Sequence, residues 1–265
     1  MNIKLVCINL KDNVDRRTFM RNQLGERVHF FDAIDAKYLT VQGNTIYYKG
    51  KQLDLVYDSD MYLRETALAY GRRHYRNAGG ILYADVDIHI NGNIVTISRD
   101  GESFYTDISP YKKNISTTEL ACALSHYLVQ KELALQSDFD AYLILEDDVV
   151  IDTNQLECIL AHLSEYDLLY DIAHLNHPEF MMKDSLVDFS SMFNLSVFSG
   201  YSGAYSYVLT KQGARKLMSV YNATIGMTAD DFISNQIQLR QVRIKQPICS
   251  VSSDFESTIK TSLTI

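Results

Sequence analysis

The ten residues Ala141–Val150, AYLILEDDVV, constrain the chain more than any other stretch. An apolar run from Ala141 to Leu145 reads as a buried strand. It ends abruptly in Glu146, Asp147 and Asp148, and apolar residues resume at Val149 and Val150. In open α/β sheets, ligands bind beyond the carboxyl ends of the strands. Carboxylates packed this closely repel one another, and a divalent cation relieves the conflict. Carboxylate oxygens are hard ligands suited to Mg²⁺ or Mn²⁺, and such an ion keeps open positions that phosphate oxygens fill. The cluster therefore reads as a metal–diphosphate seat. The competing reading is a solvated strand end made of turn and cap residues.

The rest of the chain supplies a sheet for that strand. Ile3–Leu10 reads as a buried strand, followed by a helix that Asp12 or Asn13 caps and Gly25 ends. Val28–Ala36 reads as a second short strand running into a loop. This strand–helix–strand opening implies an α/β sheet with a crossover. The stretch from Ser116 is the clearest helix: Ser116 and Glu119 have capping-box spacing, and Leu120, Leu124, Tyr127 and Leu128 share a face. A helix over 153–165, a strand in YDIAHLN, a strand in GYSGAYSYVLT and a helix capped by Thr210 follow. The tail holds a short helix and the strand-like QVRIKQPICSV. Residues 37–115 differ in character. They hold strand-like runs, a helical stretch near Met61 to Arg76, and a hairpin signal at Asn91-Gly92. The expectation is one domain over 1–265 with an inserted α+β segment at about 37–115.

Composition limits the function classes. A formal net charge of −8 argues against a nucleic-acid binder with a broad basic surface. Cys7, Cys122, Cys158 and Cys249 match no zinc or redox spacing and read as reduced, buried thiols of a cytoplasmic protein. No apolar run reaches the ~18 residues of a membrane span, and Lys4 interrupts the apolar N-terminus of a would-be signal. Contact with a membrane surface stays open.

Five segments, taken in order, resemble glycosyltransferase family 25, the family of bacterial lipooligosaccharide galactosyltransferases and related collagen-modifying enzymes. They are INLKDNVDRR (8–17), FFDAIDA (30–36), ELACALSH (119–126), LILEDDVVI (143–151) and GAYSYVLTKQGARKL (203–217). Residues 37–115 have no counterpart in that pattern. The resemblance implies a GT-A-like mixed sheet flanked by helices, a UDP-sugar donor with UDP-galactose first, and a divalent metal. It implies a glycan acceptor in lipooligosaccharide, reached at the inner face of the cytoplasmic membrane. It assigns Asp148 to the metal, with Glu146 beside it, and Glu146 and Asp147 to ribose or metal-bound water. Asn9, Leu10, Arg16 and Arg17 after the first strand would approach uridine and phosphates.

Other candidates carry alternatives. Arg16 and Arg17 suit phosphate, but Asp12 and Arg16 are also i,i+4 neighbours on a helix, and adjacent arginines face different ways. Asp32 and Asp35 would meet base or ribose, or merely shape a turn. Ser125 and His126 are helical neighbours and no nucleophile–base pair; the resemblance makes them donor-site residues. Asp230 and Asp231 offer the general base of an inverting transfer, or first-turn acids of a helix. Asp85 and Asp87 form a rival D-x-D pattern inside the insertion. His174 and His177 are weaker metal candidates, and Tyr201 and Tyr205 are aromatic platforms for a sugar.

Overall fold

The computed structural model describes residues 1–74, 87–91, 94–99, 101–107, 115–176, 186–196, 203–236 and 238–255. Strand β1 (Ile3–Asn9) leads into helix α1 (Val14–Leu24) and returns as β2 (Val28–Asp32), parallel to β1 with Leu5 opposite Val28. Gly25 ends α1 at φ +66°, a conformation that suits glycine. Asn13 occupies the N-cap position but makes no side-chain capping bond. The expected cap is therefore there in position only.

A meander of β3 (Leu39–Gln42), β4 (Thr45–Tyr48) and β5 (Lys51–Tyr57) comes next, then α2 (Met61–His74). A second meander, β6 (Asp87–Asn91), β7 (Ile94–Arg99) and β8 (Glu102–Asp107), follows. Asn91 pairs with Ile94, as the hairpin signal predicts; positions 92 and 93 lie outside the described residues. Helix α3 (Thr117–Leu135) starts at a full capping box: Glu119 N donates to Ser116 Oγ at 3.2 Å and Ser116 N to Glu119 Oε2 at 2.7 Å. Then come β9 (Ala141–Glu146), β10 (Val149–Ile151), α4 (Thr153–Glu165), β11 (Ile172–His174), β12 (Leu186–Asp188) and β13 (Phe193–Ser196). The chain continues through β14 (Ser206–Thr210), α5 (Lys211–Tyr221), β15 (Thr224–Ile225), α6 (Ala229–Asn235), β16 (Gln241–Ile244) and β17 (Cys249–Val251). The run QVRIKQPICSV thus divides into two strands of different sheets. Pro247, which has no N–H for a ladder, lies in the break.

The large mixed sheet has the order β12-β13-β16-β11-β14-β9-β1-β2. Strands β2, β1, β9, β11 and β16 run one way and β14 the other. The carboxyl ends of these five strands, with that of β12, therefore share one edge, and Asn9, Asp32 and Glu146 all lie there. The period of two sorts the strand residues. Val6, Ile8, Tyr142 and Ile144 face α3, α5 and α6, whereas Leu5, Cys7, Leu143 and Leu145 face α1 and α4. Leu120, Leu124, Tyr127 and Leu133 of α3 fill the first layer, each worth roughly 1.5–3 kcal/mol of burial. This is the α/β, helix-flanked architecture that the patterning implies.

Residues 37–61 are bound into the same core. Leu39, Ile46, Leu55 and Met61 are buried with α3 and α6. Strand β15 pairs with β5, Thr224 opposite Val56. At Gly226 a Cβ would lie 1.9 Å from the carbonyl oxygen of Asp58. Only glycine allows that approach.

Candidate active site

The alternation of β9 decides where its acids go. Tyr142, Ile144 and Glu146 point to α3; the next residue, Asp147, turns to α1. On the α1 side, Asn9 Nδ2 donates to Asp147 Oδ2 at 2.7 Å, and Arg16 Nη1 to Asp147 Oδ1 at 2.7 Å and Asp148 Oδ2 at 3.1 Å. Asn9, Arg16, Asp147 and Asp148 are all buried. Arg16 thus faces the acidic loop rather than a surface i,i+4 partner. Arg17 takes the other route: Nε donates to Asn9 Oδ1 at 3.0 Å and Nη2 to Asp32 Oδ1 at 3.3 Å, with its guanidinium over Phe30. Both oxygens of Asp147 are engaged from within the protein. Asp147 also lines the cleft.

On the α3 side, His126 Nε2 lies 3.3 Å from Glu146 Oε1, and Nδ1 lies 2.9 Å from the Tyr207 hydroxyl. Gln130 Nε2 donates to the same hydroxyl at 3.0 Å. Cys122, one helical turn before His126, has Sγ 4.0 Å from Glu146 Oε1. Ser125 faces elsewhere: its Oγ accepts from Ile34 N at 2.9 Å and donates to Ala121 O at 2.7 Å. It is a brace between α3 and the loop after β2.

Between these two sides is Asp148. Its Oδ1 is buried and has no hydrogen-bond partner among the described residues. Burial first, and then the charge of Glu146, push the carboxyl up to about 6, although Arg16 opposes this. The Arg16 guanidinium pairs with Asp147 and Asp148, and Glu146 adds a third carboxylate close by. The excess negative charge, the orphaned oxygen and the hard donor set fit a divalent cation. Glu146 and Asp148 would hold it. A cleft opens directly over them, lined by Leu10, Arg16, Asp35, Cys122, Glu146 and Asp148 among others. Asp32 stands outside that lining, half-exposed on Arg17.

Asp230 and Asp231 separate cleanly. Thr228 caps α6, and Asp231 belongs to that cap: Thr228 Oγ1 donates to Asp231 Oδ2 at 2.7 Å, and the Tyr62 hydroxyl also bonds Asp231. Asp230 accepts from Gly203 N at 3.0 Å, and its charge falls on Cys122 and Tyr207, the neighbours of Glu146. Gly203 O accepts from Asn176 Nδ2 at 2.9 Å, and Tyr205 O accepts from Glu146 N at 2.9 Å. One short span, Gly203–Tyr205, therefore ties Asp230 to Glu146. Gly203 has φ +106°, and a Cβ there would meet Asn176 Nδ2 at 2.8 Å and the Tyr205 ring at 2.9 Å.

Gly203, Asn176 and Arg243 escaped the sequence reading. Arg243 is buried at the same sheet edge and donates from Nη1 to Asn176 O at 3.2 Å. Its signal was present: an Arg amid the inward positions of QVRI. The rival sites fare differently. Asp87 is exposed in the β6-β7-β8 sheet and does not line the cleft; Asp85, His177 and Tyr201 lie outside the described residues. His174 is buried against Gln241 Oε1 at 2.9 Å, and burial beside Arg243 presses it down to about 3. That is the setting of a core histidine; its partner in the H-x-x-H spacing, His177, lies outside the described residues. Of the four free cysteines, Cys7 and Cys249 are buried, but Cys158 is exposed on α4, against expectation.

An acidic edge on a GT-A-like α/β sheet defines a class of sugar-transferring domain. The family model described as Glycosyltransferase family 25 (LPS biosynthesis protein) matches residues 2–233. The chain belongs to that family. Procollagen galactosyltransferase 1-B of Xenopus laevis is 26% identical over 153 residues, which are 56% of this chain and 24% of that protein. The chain thus matches about a quarter of that relative's length. A solved structure, A197 from STIV, matches 53% of this chain and 80% of its own at 14% identity and a TM-score of 0.30. That likeness is too slight to bear on the site. Among the described residues no helix is long and apolar enough to cross a membrane.

Proposed function

We propose that the chain is a metal-dependent, inverting glycosyltransferase that moves galactose from UDP-galactose to a glycan acceptor, in lipooligosaccharide or lipopolysaccharide synthesis. The observation that carries the metal–diphosphate reading is the buried, unpartnered Oδ1 of Asp148 beside Glu146, under an open cleft. Galactose is supported by the likeness to the procollagen galactosyltransferase, and the polysaccharide pathway by the family's description. Work at the inner face of the cytoplasmic membrane fits that acceptor. Residues 37–115, as an insertion in one domain, would shape its cleft.

Each residue then has a task. Asp148 and Glu146 would hold Mn²⁺ or Mg²⁺, which when bound stabilises the departing diphosphate. Arg16 and Asn9 fix Asp147 and so fix the loop that carries Asp148. Leu10 and Arg17 stand near the nucleotide's approach along β1. Asp230 takes the proton of the acceptor hydroxyl while that oxygen attacks the anomeric carbon. The bond to the diphosphate breaks on the opposite face, which inverts the centre. His126 orients Glu146.

Calorimetry of UDP with and without Mn²⁺ tests the seat. Mn²⁺-dependent binding in wild type, lost in Asp148→Asn and kept in Asp87→Asn, is the expected result. Absence of UDP binding in wild type under both conditions would sink the proposal. A second reading, a non-catalytic nucleotide- or glycan-binding module, predicts UDP binding with neither transfer nor hydrolysis of UDP-galactose.

A further inference from the structure

Cys122 and His126 are four residues apart on α3, so both project from one face. Glu146 meets them from β9. One ligand atom from each, Sγ, an imidazole nitrogen and a carboxylate oxygen, lies within 4.8 Å of the other two. Nε2 to Oε1 is 3.3 Å and Sγ to Oε1 is 4.0 Å. The edges of a tetrahedron around zinc, from Zn–N, Zn–O and Zn–S lengths of ~2.0–2.3 Å, are roughly 3.3–3.6 Å. A small inward movement of the thiol completes three corners. The fourth corner opens to the cleft, which Cys122, His126 and Glu146 all line.

The donor set is soft where the Asp148 seat is hard. Thiolate and imidazole favour zinc-class ions; carboxylates favour Mg²⁺ or Mn²⁺. We propose that Cys122, His126 and Glu146 form a second metal site, selective for a soft divalent ion such as Zn²⁺, that competes for Glu146 with the harder seat beside it. Competition rests on the Asp148 reading; the zinc site itself does not.

The outer contacts of His126 support it. For the metal, Nε2 must offer its lone pair, so Nδ1 must carry the proton. Gln130 Oε1 is buried and has no hydrogen-bond partner among the described residues. Turning over the Gln130 amide sets this oxygen to accept the Tyr207 O–H. The Tyr207 oxygen then accepts the Nδ1 proton of His126, and Nε2 is freed towards Cys122 and Glu146. The Cys122 thiol is kept protonated by burial and by the charges of Glu146, Asp230, Asp148 and Glu119. As the Sγ–metal bond forms, the S–H proton leaves to solvent, and no electron is transferred.

The test uses the full chain with Cys158→Ser, which removes the exposed thiol, after chelation. Co²⁺ is titrated and the absorption spectrum followed. A thiolate-to-cobalt charge-transfer band with intense visible bands of a four-coordinate ion is expected. Zn²⁺ should bleach it, and Cys122→Ser should lack it. X-ray absorption on the zinc-loaded parent counts sulfur in the shell without relying on any variant. Zn²⁺ should also suppress Mn²⁺-dependent UDP binding in the parent. A zinc shell of nitrogen and oxygen alone, or a charge-transfer band that persists in Cys122→Ser, overturns the proposal. UDP binding with Mn²⁺ alone reads the donor seat separately, so the two readings fail independently.

Discussion

Glu146 and Asp147, adjacent in sequence, are held from opposite sides of the sheet: Glu146 by His126 of α3, Asp147 by Arg16 of α1 and by Asn9 at the end of β1. The turn that carries Asp148 is stretched between them. Its geometry depends on both helices at once.

Arg16→Met tests the α1 anchor. It leaves Asp147 and Asp148 buried without their guanidinium. Breaking a buried ion pair from one side costs about 3–5 kcal/mol. Urea unfolding should show that loss in its midpoint, and added Mn²⁺ should recover part of it by supplying charge to the same loop.

Cation uptake should follow the Asp148 carboxyl. Raised to about 6, this group is protonated in the metal-free protein below that pH and ionised above it. A cation must displace the proton on the acid side. Mn²⁺ affinity measured by calorimetry should be flat well above pH 6 and fall by up to ~10-fold per unit below it. An affinity unchanged from pH 7 to pH 5 would remove Asp148 from the ligand set.

Asp230 and Asp231 should part in their effects. Asp230→Asn removes the proposed proton acceptor and should lower transfer ~10²–10⁴-fold while unfolding is nearly unchanged. Asp231→Ala disrupts the Thr228 cap and Tyr62 contact, costing about 0.5–2 kcal/mol of stability and little of the chemistry. Transfer assays paired with thermal melts distinguish them; the reverse pattern would move the base to Asp231.

Gly203→Ala places a Cβ against Asn176 and Tyr205 at a positive φ. The strain of about 1–3 kcal/mol should be relieved by shifting the Gly203 amide from Asp230. Steady-state kinetics should then show kcat falling more than KM rises.

His174 makes the protein acid-sensitive in a defined window. Its folded value of about 3 lies below its ordinary 6.5. Between these values the unfolded chain binds the proton and the folded chain does not. The stability it contributes is whole above pH ~6.5 and is lost as pH falls towards ~3, at ~1.4 kcal/mol per unit. His174→Asn should flatten the slope of unfolding free energy between pH 7 and 5.

Much of this was legible in local pattern. The capping box at Ser116, the Thr210 cap and the apolar run ending at Glu146 each use neighbours a few residues apart, so sequence displays them directly. The proposed metal seat at Glu146 and Asp148 rests on the same kind of local pattern. What stayed hidden depends on distant partners. Nothing local says that Asp147 is taken by Asn9 and Arg16, that Ser125 braces Ile34, or that Gly203 holds Asp230. Asp230 and Asp231 look equivalent in TADDFI; only the helical turn sends one to Gly203 and the other to its own cap. Arg243 could have been suspected from its alternation with Val242 and Ile244.

The approach of Gly226 to Asp58 reaches beyond packing. It is a seam between β5, the last strand of the first meander, and the turn that leads into α6, two residues before its cap. A side chain gained at 226 requires the backbone at 58 to retreat, so these segments are obliged to vary together. Descendants of this chain can rework the exposed faces of β3, β4 and β5, provided that one line of contact is inherited unchanged.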